Sequence, residues 1–221
     1  MQTILNSWEE VAAFADSRLR VPPSYLDRVN KRKYPVDAFS LGQLASKAWL
    51  LDTLFRIVPL KSNAEVALLG CWIGSIVPFL HRGLTIKRIY GFDIDPNSIA
   101  LADEFNREHV EKDWKFKGVV ADMSMVPTND MQFEVNGQLI EFKPDWVINT
   151  SCEHMDTEWF DTADSDQLII MQTNDSPDFD GHVNTCDSIE EMQERYPLSN
   201  TMYVGSITTP AYTRFMQIGY R

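Results

Sequence analysis

The sequence predicts an α/β fold: a mostly parallel, seven-stranded sheet with helices on both faces and an antiparallel last strand. Three observations carry that expectation. From Ala64 onward, short apolar runs alternate with helical patterns, which is how βαβ units read in a sequence. The first such run, Val66-Ala67-Leu68-Leu69, enters a glycine turn, Gly70-Cys71-Trp72-Ile73-Gly74, and the next ends in the acid Asp93. The chain closes on two strand-like runs, Met202–Thr208 and Thr213–Tyr220, joined around Pro210.

The elements follow in order. Residues 1–60 read as a helical cover. Ser7 is a good N-cap, Glu9 and Glu10 suit the positive end of a helix, and Val11, Ala12, Phe14 and Ala15 supply its apolar face. Pro22-Pro23 interrupts, a second helix is expected over Ser24–Asn30, and Ser40 opens a longer one with Leu44, Ala48, Leu51, Leu54 and Phe55 at helical spacing. Residues 61–221 then form the sheet domain. Its expected order is strand 65–69, helix 73–80, strand 88–92, helix 96–106, strand 116–120, and strands at 146–149 and 167–172. Asn136-Gly137 between two alternating runs is a strong hairpin signal, so a β-hairpin insertion is expected near 131–143.

The bulk numbers bound the function. At 221 residues and 44% apolar, the chain can bury a full core as one domain with a decoration. The formal charge of −12 argues against nonspecific nucleic-acid binding, because phosphates are repelled. The basic stretch Arg18, Arg20, Arg28, Lys31, Arg32, Lys33 reads as a solvated helix face. No apolar run reaches the ~18 residues a membrane span needs, and the N-terminus has no basic, then apolar, leader pattern. Cys71, Cys152 and Cys186 have no metal-ligand spacing, so free thiols in a cytoplasmic setting are expected. No apolar stripe identifies an oligomer interface.

Ligands of open α/β sheets bind at the carboxyl ends of the strands. Those ends here are Gly70 to Gly74, Asp93-Ile94, Ala121-Asp122-Met123, Asn149-Thr150-Ser151 and Gln172 to Asn174, each polar or glycine directly after an apolar run. A glycine turn lets a ligand approach the backbone, and a carboxylate can accept both ribose hydroxyls.

On these residues the segment from about 40 to 221 resembles the class I S-adenosylmethionine-dependent methyltransferases, a Rossmann-like fold. Val66–Gly74 is similar to the family's first motif, with Trp72 at its middle glycine and Leu68 where an acid normally holds the methionine amino group. Gly91-Phe92-Asp93 resembles the second-strand motif, which gives Asp93 the ribose and Ile94 the neighbouring position. Val120-Ala121-Asp122-Met123 resembles the third, which gives Asp122 the adenine amino group and Met123 a ring nitrogen. Asn149-Thr150-Ser151-Cys152-Glu153-His154 resembles the fourth-strand segment beside the methyl donor. The resemblance implies S-adenosylmethionine as cofactor, held by Gly70, Cys71, Trp72, Gly74, Asp93, Ile94, Asp122, Met123, Asn149 and Thr150. It also implies that Gln43 and Lys47 of the cover close over the methionine end, with Lys47 on the carboxylate.

Methyl transfer needs mainly alignment and desolvation, and a base only if the acceptor must lose a proton. His154, Glu153 and His182 are the candidates. Asp178, Asp180 and His182 alternate in a way that suits a cation, yet such runs are common in acidic turns, and no metal is expected. Asn149 is followed by Thr150-Ser151, not by the Pro-Pro-aromatic signature of base and glutamine methyltransferases. A small-molecule acceptor is therefore expected. Of Trp8, Tyr25, Tyr34, Trp72 and Trp159, most are expected to pack in the core. Two other readings compete: a noncatalytic cofactor-binding or scaffold relative of the fold, and an NAD(P)-dependent oxidoreductase built on Gly70-x-x-x-Gly74 and Asp93.

Overall fold

A computed structural model describes residues 1–19, 33–58, 63–111 and 114–221. The expected helix at Ser24–Asn30, Tyr25, and most of the basic stretch lie outside the described residues. Of that stretch, Arg18 lies over the Phe14 ring and Lys33 pairs with Glu104.

The sheet contains the seven expected strands. β2 (Ala64–Leu69), β3 (Ile86–Asp93) and β4 (Phe116–Val120) run parallel from the centre to one edge. β7 (Trp146–Asn149) and β8 (Leu168–Asn174) run parallel from β2 the other way. β9 (Asn200–Thr208) and β10 (Thr213–Tyr220) complete it, with β10 antiparallel to both β8 and β9. An eighth strand, β1 (Gln2–Ile4), adds to the edge in parallel with β9. Three residues with exposed ends carry no readable period, which is why the helical reading of residues 1–60 missed it. The order β1-β9-β10-β8-β7-β2-β3-β4 reverses direction of travel between β2 and β7, and a cleft opens at such a switch point.

The two faces are covered differently. One carries α1 (Trp8–Leu19), α2 (Leu41–Ile57), α3 (Val77–Gly83) and α4 (Pro96–Phe105), with the short α5 (Arg107–Glu111) after it. Val11, Ala15, Leu50, Leu54, Val77, Ile99 and Phe105 join the sheet residues Val66, Leu68, Ile148 and Ile170 in one apolar cluster. The other face carries two short helices, α6 (Glu158–Asp161) and α7 (Ile189–Arg195), and the hairpin β5 (Met131–Val135)/β6 (Gln138–Phe142). The hairpin lies where the sequence puts it. Its alternation points Met131, Phe133, Val135 and Phe142 inward against Tyr90 and Phe92, and Gln132, Glu134 and Glu141 outward. Asn136 and Gly137 both have positive φ, 51° and 77°, as a tight two-residue turn requires.

Two boundaries shift for local reasons. The helix expected from Ile73 begins at Val77, because Trp72 (φ 48°) and Gly74 (φ 61°) keep the preceding segment in a turn. The helix over 96–106 breaks into α4 and α5 at Asn106, whose buried amide donates to Gly74 O at 3.1 Å.

Candidate functional site

One large cavity, of about 770 Å³, opens at the carboxyl ends of β2, β3, β4 and β7 and is roofed by the start of α2. Sequence and local chemistry build it strand by strand.

After β2, Gly70 turns with φ 56°, and a Cβ there would meet Met155 Cε and Ser151 Cβ at 3.1 Å. Glycine adopts that backbone without strain, and a larger residue would press on both neighbours. Cys71 and Trp72 line the cavity. The Trp72 amide donates to Asp93 Oδ2 at 2.8 Å, so the turn after β2 is pinned to the end of β3. Burial first, then the Asp93 and Asp103 charges, push the Cys71 thiol well above its ordinary range, which makes it an inert wall. Gly74 does not reach the cavity. It lies behind the turn, and a Cβ there would sit 2.7 Å from Asn106 Nδ2, so its role is close packing.

After β3, Asp93 Oδ1 accepts the Asp95 amide at 3.0 Å, and Ile94 projects beside it, two-thirds exposed. Each Asp93 oxygen keeps a lone pair for a further donor. After β4, Asp122 accepts Ser124 N and Oγ on Oδ1, and these bonds hold its carboxyl below the usual range. Asp122 lines the cavity, and its neighbour Met123 is buried. After β7, Thr150 lines the cavity and Asn149 does not. Asn149 is buried, and its Oδ1 accepts the Ser151 amide at 2.9 Å, so it shapes the loop from behind.

The roof comes from α2. Ser40 Oγ accepts the Gln43 amide at the N-cap, and Gln43 Oε1 accepts from Lys47 Nζ at 2.8 Å. Burial, then the Arg214 charge, press the Lys47 ammonium down to about 7, partly opposed by Asp37. A Cβ at Gly42 would lie 2.5 Å from Tyr212 Oη, so a larger residue there would have to displace that hydroxyl.

The three candidate bases all border the cavity, but not alike. Glu153, on the single turn Cys152–His154, is 2% exposed. Its Oε1 accepts from Arg214 at 3.0 Å and from Asn174 at 2.9 Å. That ion pair engages Oε1 and leaves Oε2 without a hydrogen-bond partner. His154 Nδ1 lies 3.0 Å from Gly181 O, and His182 Nδ1 lies 2.5 Å from Ser176 O. A carbonyl only accepts, so both rings donate from Nδ1, and in the neutral tautomer Nε2 is the acceptor. The two rings meet edge to face with centroids 4.6 Å apart. Asp180 borders the cavity and Asp178 does not, so the alternating run does not act as a unit.

Sequence reasoning missed Arg214, Asp37 and Tyr212, which all line the cavity. Arg214 did leave a signal. An arginine inside the apolar run Thr213–Tyr220 must be paired, because an isolated buried charge is too costly. Of the aromatic candidates, Trp8 and Trp72 line the cavity, whereas Tyr34 and Trp159 are core residues.

Comparison with known proteins gives a fold. No family model matches the sequence, and no curated protein matches it. Among solved structures, magnesium protoporphyrin IX methyltransferase from Synechocystis PCC 6803, with bound S-adenosylhomocysteine, superposes with a TM-score of 0.59 at 15% identity, over 93% of this chain and 98% of that one. Geranyl diphosphate C-methyltransferase from Streptomyces coelicolor, in complex with Mg²⁺, geranyl diphosphate and S-adenosylhomocysteine, gives 0.59 at 11% identity, over 97% of each chain. A candidate RNA methyltransferase from Pyrococcus horikoshii gives 0.55 at 15% identity, over 96% of each. This chain therefore has the fold of the class I S-adenosylmethionine-dependent methyltransferases.

Proposed function

We propose that this protein binds S-adenosylmethionine in the cavity and transfers its methyl group to a small-molecule acceptor. The observation that carries the reading is the pair of carboxylates at adjacent strand ends, Asp93 and Asp122, with the exposed Ile94 and the buried Met123 beside them. That arrangement suits a ribose diol followed by an adenine with an exocyclic amine. At the other end, Lys47 suits a carboxylate. Asp37, whose charge acts on Lys47, supplies the acid for an amino group that Leu68 cannot. The bound cofactor supplies a methyl sulfonium. The protein's residues hold the two ends of that ligand, exclude water with the α2 roof, and place His154 and His182 beside the acceptor, where an Nε2 not otherwise engaged can accept its proton.

A dinucleotide reading is weaker. Trp72 occupies the turn where a pyrophosphate would need close backbone approach, and α3 starts only at Val77. The acidic charge favours a small molecule over a nucleic acid as acceptor. The buried free thiols Cys71, Cys152 and Cys186 fit a reducing compartment such as the cytoplasm. No helix among the described residues is long and apolar enough to cross a membrane.

Calorimetry with S-adenosylmethionine, S-adenosylhomocysteine and NAD tests the reading. Binding of the first two supports it, and binding of NAD alone overturns it. Binding of none overturns it in favour of a scaffold role.

A further inference from the structure

We propose that Glu153, His154 and His182 form a binding site for one divalent transition-metal cation of the zinc type, on the wall of the cavity. One donor atom from each lies within 4.8 Å of the others. Tetrahedral ligands at 2.0–2.2 Å from a shared cation stand about 3.4 Å apart, so the donors would have to draw together by up to about 1.4 Å to close on an ion.

Three further observations point to a ligand here. Glu153 is 2% exposed, and its Oε2 has no hydrogen-bond partner. A buried carboxylate oxygen without a donor is costly, and a cation satisfies it. Oε1 is meanwhile fixed by Arg214 and Asn174, which orients the carboxylate. Both imidazoles donate Nδ1–H to backbone carbonyls, at Gly181 and Ser176, which selects the tautomer with a free Nε2 lone pair. Metal-ligating histidines are held by such contacts from behind. Two imidazoles and one carboxylate favour a transition metal over calcium or magnesium, which take oxygen ligands.

Among the described residues three protein ligands meet, which leaves open coordination positions, and all three border the cavity. The ligand class for those positions is a small molecule carrying a hydroxyl or thiol, which a bound cation would acidify so that its proton leaves to solvent rather than to either coordinated Nε2. This acceptor class rests on the methyl-transfer reading, whereas the cation site stands on its own geometry.

Titration of chelator-treated protein with Co²⁺, followed by its visible absorption, tests the site. One equivalent should bind, and His154→Ala and His182→Ala should each weaken binding by at least ~100-fold. The chain has 4 histidines, and the other two, His81 and His109, stack on each other elsewhere. His81→Ala/His109→Ala should bind Co²⁺ as the parent does. Equal binding by His154→Ala/His182→Ala, or loss only in the His81/His109 variant, overturns the proposal. Should the site variants not fold, acylation of the parent's histidines by diethyl pyrocarbonate gives the answer. Co²⁺ must protect His154 and His182, and their continued reactivity overturns the proposal. S-adenosylhomocysteine calorimetry on the metal-free protein reports the cofactor reading separately.

Discussion

Glu153 and Arg214 form an ion pair at 3.0 Å in which the two side chains are 3% and 6% exposed. It joins the loop after β7 to the antiparallel strand β10, two segments 61 residues apart in sequence. Arg214 also donates to Thr150 O at 3.0 Å, so one guanidinium braces the whole loop that forms the inner wall of the cavity. Removing one partner leaves a buried charge uncompensated. Arg214→Met should therefore destabilise the protein by ~3–5 kcal/mol in urea unfolding, and Arg214→Met/Glu153→Leu should recover much of that loss. A double variant as unstable as the single one would mean that loop geometry, not charge, sets the cost.

Asp93 holds the Trp72 amide and stands at the expected ribose position. Asp93→Ala should weaken S-adenosylhomocysteine binding by ~10–100-fold in calorimetry, the loss expected for a charge-assisted hydrogen-bond partner. Asp93→Asn keeps an acceptor oxygen but no charge, so it should fall between the two. An unchanged affinity in Asp93→Ala removes this residue from the site.

Lys47 predicts a pH dependence. Its ammonium, held at about 7 in the free protein, gains a partner when a ligand carboxylate binds, and its pKa then rises. Below about pH 7 the lysine is already charged and affinity should be flat with respect to it. Above that pH, binding must take up a proton, and affinity should fall by up to ~10-fold per pH unit until the raised pKa of the complex is reached. Comparing the parent with Lys47→Met cancels the ligand's own titration. The same substitution should stabilise the free protein near pH 6, where the fold must bury a charged lysine, while it weakens binding. A parent and variant with superimposable pH profiles would sink the carboxylate role.

The sequence was legible where a short-range rule acts alone. The βαβ alternation, the Asn136-Gly137 turn and the Ser40 cap each follow from local chemistry, and each is found in place. The strand-end rule also places Asp93, Asp122 and Thr150 on the cavity. It fails one residue away, at Gly74 and Asn149, because whether a loop residue faces the ligand or the packing behind it depends on neighbours distant in sequence. Asn106 sets that orientation for Gly74, and Asn149 is held as the last paired residue of β7, between Leu69 and Met171. The partnership of Glu153 with Arg214 was illegible for the same reason. The edge strand β1 was hidden by its length, since three residues against β9 need no pattern of their own.

Two glycines with positive φ separate strain from function. Gly137 (φ 77°) has nothing within 4 Å of a built Cβ, whereas Gly70 (φ 56°) would press Cβ on Met155 and Ser151 at 3.1 Å. Gly137→Ala should cost ~1 kcal/mol through backbone strain alone and leave ligand affinity unchanged. Gly70→Ala adds a steric term at the cavity wall. The methyl can be accommodated only if Ser151 and Met155 shift, and Ser151 Oγ loses its 3.3 Å bond to Gly70 O as they do. Gly70→Ala should therefore destabilise by ~1–3 kcal/mol and also weaken S-adenosylhomocysteine binding. Thermal unfolding and calorimetry on the same two variants check this. Equal affinity in both would mean that the turn after β2 supports the fold without shaping the ligand site.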